Sequence, residues 1–238
     1  MLGRFLEVAV HAPDVPESLA FYESLGFVQA AVGDMRSYPY AVVTDGRLHL
    51  GLHGEPIDAP ALTWVQPGLA THAPRLEALG IEFVSARLGE DAFHELAFVD
   101  PSGQRVTLVE ARTFSPPPVR GPHASRLGYF EEFGIPTTDL ERSTAFWDAL
   151  GFVAFDPVRA PFAKVVATGS DLNVGLYDVD LRSPVLTFSH AAMAERIADL
   201  REKGYRLLDR LPRGMNSRDN ALLEAPEGTW FMLTTSNE

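Results

Sequence analysis

The first segment of the chain alternates apolar and polar residues, a period-two pattern that predicts a β-strand over residues 5–11. One face of this strand is apolar, and the other carries Glu7 and His11. The apolar residues that follow recur at helical spacing, and Asp14 before them is a candidate N-cap, so we predict an amphipathic helix that ends near Gly26. The chain therefore opens with a strand and a helix.

The rest of the first half continues this alternation of short strands with one more helix. Strands are predicted over residues 28–32, 40–44 and 48–53, then over 62–66, and after a helix at 69–79 over 82–86, 94–99 and 105–110. The pair Asp45-Gly46 between two of these strands predicts a tight turn. The order βαβββ occurs twice within about 110 residues, which is the size of one domain.

The pattern of the first half returns in the second half at a near-constant offset. APDVPESLAFYESLGFV from residue 12 matches TTDLERSTAFWDALGFV from residue 137, an offset of 125. LHLGLH from residue 48 matches LNVGLY from residue 172, and DPSGQRVTL from residue 100 matches APEGTWFML from residue 225. A constant offset across separated segments indicates duplication of a whole domain.

A proline-rich segment lies between the two copies. Residues 114–122 read FSPPPVRGP, and successive prolines fix φ, remove amide donors and favour an extended connection. We therefore predict a first domain at 1–113, a linker at 114–126 and a second domain at 127–238.

Composition excludes several classes of function. The 238 residues carry a formal net charge of -12, which repels phosphate backbones and anionic lipids, so neither nucleic acid nor a membrane is expected as a partner. The absence of cysteine excludes disulfides and thiolate chemistry. We interpret the N-terminus, which has no basic segment followed by an apolar run, as that of a cytoplasmic protein. The expected partner is a small-molecule ligand, and a homodimer stays open.

These segments resemble the vicinal oxygen chelate superfamily, which includes glyoxalase I, extradiol dioxygenases, fosfomycin-resistance enzymes and bleomycin-binding proteins. The resemblance rests on a strand–Asp–helix–LGF unit in each copy (residues 14–27 and 139–152), on LEALGIEF and LREKGYRL at the end of a second helix, and on DPSG before a final strand. It implies an α+β fold of two tandem glyoxalase-type domains, each made of paired βαβββ modules that enclose a cavity.

Metal-dependent members of the resembling superfamily place His, Gln or Glu ligands on the first and last strands of the modules. The corresponding positions here are Glu7, Gly51, Ala61 and Thr107 in the first domain, and Glu132, Gly175, Val185 and Met232 in the second. Only the two glutamates bind metals well, whereas a catalytic zinc or iron site takes at least three protein ligands. We therefore expect no metal cofactor, and leave open an unusual divalent site in which Glu7 and His11 are joined by His49 or His53.

Candidate chemistry is concentrated on the cavity-lining strands of the first domain. We predict acid–base roles for Glu7, His11, His49 and Glu132, because a desolvated carboxylate or an imidazole can exchange protons near neutral pH. The predicted ligand-binding residues are His53, Thr107, Asn173, Tyr177, Arg213 and Arg218. The alternatives are structural: paired carboxylates, surface histidines, a Tyr177 that packs with a satisfied hydroxyl, and a solvated loop at 210–218.

The predicted function is therefore that of a small-molecule protein of this superfamily. A lyase- or isomerase-like enzyme that works by acid–base chemistry at Glu7 or Glu132 is one interpretation, and we expect the first cavity to be the working one because it combines an acid with imidazoles. A non-catalytic sequestering protein, similar to the bleomycin-resistance members, is the alternative, since an acidic cavity suits a cationic ligand. A third interpretation is a scaffold whose cavities are closed by Trp64, Val185 and Met232.

Overall fold

The structure, a computed structural model, describes residues 1–31, 37–89, 93–111 and 125–236. The first repeat contains β1 (Arg4–His11), α1 (Val15–Ser24), β2 (Val28–Gln29), β3 (Tyr40–Thr44), β4 (His49–His53), β5 (Ala61–Val65), α2 (Leu69–Glu77), β6 (Phe83–Arg87), β7 (Glu95–Val99) and β8 (Arg105–Val109). The second contains β9 (Tyr129–Pro136), α3 (Leu140–Ala149), β10 (Val153–Ala154), β11 (Ala163–Thr168), β12 (Asn173–Asp178), β13 (Val185–Ser189), α4 (Met193–Glu202), β14 (Leu207–Leu208), β15 (Ala221–Glu224) and β16 (Trp230–Thr234).

Each repeat forms one eight-stranded sheet, and the two sheets have the same topology. The strand orders are β2-β3-β4-β1-β5-β8-β7-β6 and β10-β11-β12-β9-β13-β16-β15-β14. In the first sheet β1 pairs parallel with β4 and antiparallel with β5, so this antiparallel pair joins the two βαβββ modules. The predicted α+β fold with two tandem repeats of paired modules is confirmed.

Local sequence signals account for the first helix of each repeat. The Asp14 side chain accepts a hydrogen bond from the Glu17 amide at 2.9 Å, and the equivalent Asp139 accepts one from Arg142 at 3.0 Å. Gly26 follows α1 with a φ of 91°, a left-handed conformation that glycine adopts without a steric cost. The predicted cap and exit are both present.

Most predicted elements occur within a few residues of their expected bounds. The helix predicted over 69–79 is α2 and ends at Glu77, and the strand predicted over 28–32 is β2 and ends at Gln29, with residue 32 outside the described ranges. The Asp45-Gly46 turn is present, and Asp45 accepts hydrogen bonds from the amides of Arg47 and Leu48. Of the predicted linker 114–126, residues 114–124 lie outside the described ranges, and the domain bounds stay a prediction.

The two repeats share one hydrophobic core, because each first helix places an aromatic residue against the other sheet. Tyr22 of α1 lies 6.0 Å from Phe231 of β16, measured between ring centroids. Trp147 of α3 lies 6.5 Å from Trp64 of β5, and its indole NH donates to Asp100 at 3.2 Å. In the described part of the chain, no helix has the length and apolarity to cross a membrane.

Candidate functional site

A buried glutamate lies at the same place on the first strand of each sheet. Glu7 is opposite Thr63 in the first sheet, and Glu132 is opposite Thr187 in the second. A β-bulge immediately precedes each glutamate, and such an extra residue changes the direction in which the next side chain points. Glu7 is 1% exposed and Glu132 is 4% exposed, so both carboxylates are largely removed from water.

The space for the first carboxylate comes from a glycine on the neighbouring strand. A Cβ atom at Gly51 would lie within 2.6 Å of both carboxylate oxygens of Glu7. Any side chain at this position would therefore displace the Glu7 carboxylate. Gly175 has the same relation to the second carboxylate, since a Cβ there would lie 2.9 Å from Glu132 Cδ.

Both oxygens of the Glu7 carboxylate are hydrogen-bonded to aromatic side chains. Tyr40 Oη donates to Oε2 at 2.6 Å, and His53 Nε2 lies 3.0 Å from Oε1. Tyr38 Oη lies 2.9 Å from the other ring nitrogen of His53, Nδ1. One assignment satisfies every atom: Tyr38 donates to Nδ1, and the Nε2 proton is donated to Glu7. Four side chains, defined here as the first network (Tyr38, His53, Glu7 and Tyr40), thus form a continuous chain.

His49 is next to the first network and has an open hydrogen-bonding atom. Its Nε2 is buried and has no hydrogen-bond partner among the described residues. Burial lowers the pKa of His49, and the negative charges of Glu7 and Asp45 partly oppose this effect. The imidazole is therefore held in its neutral form at neutral pH, with one nitrogen able to bond a ligand.

We call the sheet of β1–β8 the first barrel and the sheet of β9–β16 the second barrel. The second barrel contains a different set of partners around its glutamate. Glu132 Oε1 is 2.8 Å from Lys164 Nζ and accepts a hydrogen bond from Tyr177 Oη at 2.6 Å. Tyr177 Oη is also bonded to Thr187 Oγ1 at 2.8 Å. Burial, followed by the charge of Glu132, raises the pKa of Tyr177 well above its ordinary value, so the phenol keeps its proton. The interpretation of Tyr177 as a packed residue with a satisfied hydroxyl agrees with this geometry.

The two sites are built from equivalent positions with different residues. Tyr40 is opposite His53 in the β3–β4 pair, and Lys164 is opposite Tyr177 in the β11–β12 pair. The sequence analysis missed Tyr40 and Lys164, although their separation of 124 residues equals that of the LHLGLH and LNVGLY segments. Extending the repeat alignment to the preceding strand would have identified both residues.

Apolar side chains fill the second barrel around Tyr177. Val185 and Met232 are each 1% exposed and form a cluster with Tyr177 and Leu222. Several half-buried residues pack against this cluster, including Phe162, Leu211 and Met215. Val185 and Met232 thus pack in the second barrel as the third interpretation expects, whereas Trp64 packs between the two sheets, and the scaffold role itself stays a prediction.

The strand register shows that two of the aligned ligand positions, Ala61 and Val185, do not lie opposite the glutamates. Ala61 and Val185 are opposite Ala9 and Gly134, one layer away from the glutamates, whereas Thr63 and Thr187 lie directly opposite them. The antiparallel pairing runs without interruption from Ala9 and Ala61 to Glu7 and Thr63, and the bulge comes only after this pair, so the register of β1 and β5 itself places Thr63 beside the glutamate. Thr107 is in register with Thr63 and completes the layer of the first barrel.

The remaining predicted site residues lie outside the two glutamate clusters. His11, the last residue of β1, lines a cleft of about 250 Å³ between the two sheets, together with Val8 and Val10. Asn173, the equivalent of His49, donates its side-chain NH to the backbone oxygen of Glu131 at 3.1 Å. Arg213 and Arg218 are exposed on the loop that follows β14. Their roles in ligand binding stay predictions.

The side chains at the aligned positions do not fit a three-ligand metal site. Each barrel supplies one carboxylate there, beside glycine, threonine or methionine, and in the second barrel Lys164 already neutralises that carboxylate. Within residues 1–31, 37–89, 93–111 and 125–236, no group of three or more His, Cys, Asp or Glu side chains has a geometry that could hold a metal ion. We therefore derive no chemical step through a metal, and the expected absence of one stays a prediction.

Comparisons with known proteins give a match at the level of three-dimensional structure. No protein-family model matches the sequence, and a search of curated proteins finds no match. A catechol 2,3-dioxygenase structure is 15% identical, with a TM-score of 0.63, and the match covers 100% of this chain and 88% of that one. For 2,2',3-trihydroxybiphenyl 1,2-dioxygenase from Sphingomonas wittichii the identity is 18% and the TM-score 0.63, with 99% and 91% covered.

A third structure extends the same comparison. A mutant of homoprotocatechuate 2,3-dioxygenase from Brevibacterium fuscum is 16% identical, with a TM-score of 0.63, and the match covers 100% of this chain and 72% of that chain. These matches include both repeats of the present protein. The chain therefore has the fold of these extradiol dioxygenase structures, with two tandem repeats of paired βαβββ modules.

Proposed function

We propose that the first barrel binds a small molecule and moves a proton to or from it, as a lyase- or isomerase-like enzyme does. The observation that supports this function is the Glu7 carboxylate, 1% exposed and bonded to Tyr40 at 2.6 Å and to His53 at 3.0 Å. A buried carboxylate that is linked to a half-buried phenol is a base that can act without direct contact with water.

The first network defines a proton path. When a ligand proton passes to Tyr40 Oη, the phenol proton moves to Glu7 Oε2 over the 2.6 Å hydrogen bond, so Glu7 becomes neutral and Tyr40 stays a phenol. His53 donates to the other oxygen of Glu7 and keeps the carboxylate in place, while Tyr38 fixes the tautomer of His53. The reverse movement returns the proton to a different ligand atom. Transfer to another carbon gives an isomerisation, and transfer to a leaving group as its bond to the ligand breaks gives an elimination.

A comparison of matched variants tests this proposal. A metabolite library is screened by thermal shift, because a ligand that binds only the folded state raises Tm, and each hit is followed for conversion by mass spectrometry. We expect Glu7→Gln and Tyr40→Phe to abolish conversion. Glu132→Gln, the matched change in the second barrel, should retain it, with circular dichroism confirming that all three variants fold. Equal conversion by Glu7→Gln and wild type would refute the proposal.

A non-catalytic binding protein is the second candidate, and one feature of the site favours it. Both oxygens of Glu7 are already hydrogen-bonded, whereas His49 Nε2, beside them, has no partner among the described residues. Such a site can hold a ligand through His49 without any proton transfer. In this case hits are recovered chemically unchanged, Glu7→Gln retains binding, and His49→Ala loses it.

A further inference from the structure

The second barrel contains an ammonium group that belongs to the chain itself. Lys164 Nζ is 2.8 Å from Glu132 Oε1 and lies 5.6 Å from the centroid of the Tyr177 ring. The carboxylate is 5% exposed and the lysine side chain 27% exposed, so the ion pair is partly shielded from solvent. A carboxylate and an aromatic ring beside one cation are the two elements of a typical binding site for an organic ammonium ion.

The choice of lysine is unusual in this chain. The sequence has 20 basic residues, and only two of them, Lys164 and Lys203, are lysines. An ammonium group is compact and donates in three directions, whereas the planar guanidinium of arginine needs more room. Lys164 is therefore the type of cation that suits the narrow space above Gly175, where a Cβ atom would lie 2.9 Å from Glu132 Cδ.

The buried Glu132 carboxylate is the reason why a cation is needed at position 164. A buried carboxylate without a partner is costly, and removal of one member of a buried pair exposes that cost. Tyr177 provides one hydrogen bond to Glu132 but no charge, because burial keeps its phenol protonated. In the first barrel the residue at the Lys164 position is Tyr40, which donates to Glu7 as a neutral group, so the two glutamates differ in whether a cation faces them.

We propose that the second barrel is a primary-ammonium site, formed by Glu132 and Tyr177, and that Lys164 fills it from within the chain. The glutamate that corresponds to the metal-ligand position of the fold thus binds a tethered organic cation. This arrangement closes the second barrel to other ligands, and the apolar side chains of Phe162, Leu211 and Met215 pack against the same cluster.

Replacement of the lysine by a free amine tests the proposal. Lys164→Ala removes three methylene carbons and the nitrogen, and n-propylammonium has the same atoms. We expect Lys164→Ala to unfold at a lower Tm than wild type, and n-propylammonium to raise its Tm by at least about 3 °C. Neutral n-propanol should raise it much less, and the double variant Glu132→Gln/Lys164→Ala should not respond to the amine. An equal response to the alcohol, an equal response of the double variant, or a Lys164→Ala Tm identical to wild type would refute the proposal.

A measurement on the folded wild-type protein covers the case in which Lys164→Ala does not fold. The two lysines can be distinguished by mass spectrometry after brief acetylation with acetic anhydride. We expect Lys164 to be acetylated several-fold more slowly than Lys203, and Glu132→Gln to remove this protection at Lys164 alone. Equal rates at both lysines in wild type would show that the ammonium is not held in the barrel.

Discussion

The role of Gly51 can be tested with a single methyl group. Gly51→Ala adds a Cβ atom that would lie within 2.6 Å of both oxygens of Glu7, whereas non-bonded atoms separate to about 3.5–4.0 Å. The carboxylate must therefore move by roughly 1 Å or more. Its hydrogen bonds to Tyr40 and His53, at 2.6 and 3.0 Å, would then be stretched beyond a useful length.

The expected cost follows from two effects of similar size. Overpacking of a buried site costs about 1–3 kcal/mol, and the loss of hydrogen bonds to a buried charged group costs about 1.5–3 kcal/mol. The alanine recovers about 0.4–1 kcal/mol by restricting the unfolded chain, because φ of Gly51 is not in the left-handed region. We expect Gly51→Ala to lower the free energy of unfolding by about 2–5 kcal/mol, measured by urea denaturation.

A double-mutant cycle separates this explanation from a general effect of alanine. In a Glu7→Ala background the space above Gly51 is empty, so Gly51→Ala should then cost less than about 1 kcal/mol. Equal costs in the two backgrounds would refute the reasoning, because they would show that the methyl group does not act through the carboxylate.

Three further predictions concern the core, a surface ion pair and metal content. Tyr22 Oη donates to Glu227 at 2.5 Å between the repeats, so Tyr22→Phe should lower the free energy of unfolding by about 1–3 kcal/mol, whereas Tyr205→Phe, a partly exposed control, should change it by less than about 0.5 kcal/mol. The hydrogen bond to Glu110 raises the pKa of His94, and His94 lowers the pKa of Glu110. The stabilisation by this pair is therefore lost as pH rises through the raised His94 pKa, and as pH falls through the lowered Glu110 pKa. His94→Gln should flatten the dependence of unfolding free energy on pH between about pH 6 and 8, and an unchanged slope would contradict the pair's role. Metal analysis of protein purified without chelator should find only substoichiometric zinc, iron, manganese and nickel, and a full equivalent would contradict the poor fit of the site residues.

The parts of the fold that could be predicted from the sequence depend on short-range signals. The N-cap of α1 involves residues three apart, and the exit at Gly26 requires one backbone conformation that glycine favours. The duplication provided a second copy of each signal, which made the order of elements clear. Such features need no knowledge of how distant strands pair.

The candidate site could be predicted only in part, because its contacts depend on strand register. Glu7 was identified by its alternation pattern, but its partner Tyr40 is 33 residues away on a different strand. The sequence prediction places Ala61 in the layer of Glu7, whereas the structure places Thr63 there, because the hydrophobic pattern does not fix which residues of β1 and β5 are opposite each other. Contacts between side chains of separate strands thus require the structure.

Each repeat packs an aromatic side chain of its first helix against the other repeat, and this packing affects how mutations are tolerated. Because Tyr22 packs on the second sheet and Trp147 on the first, neither repeat can bury its core alone, and the chain is expected to unfold in a single cooperative transition. The free energy of unfolding is then a property of both copies together. A polar substitution that destabilises one barrel is therefore offset by the packing of both repeats. The residues of the two sites can then change their chemistry while the shared fold is kept.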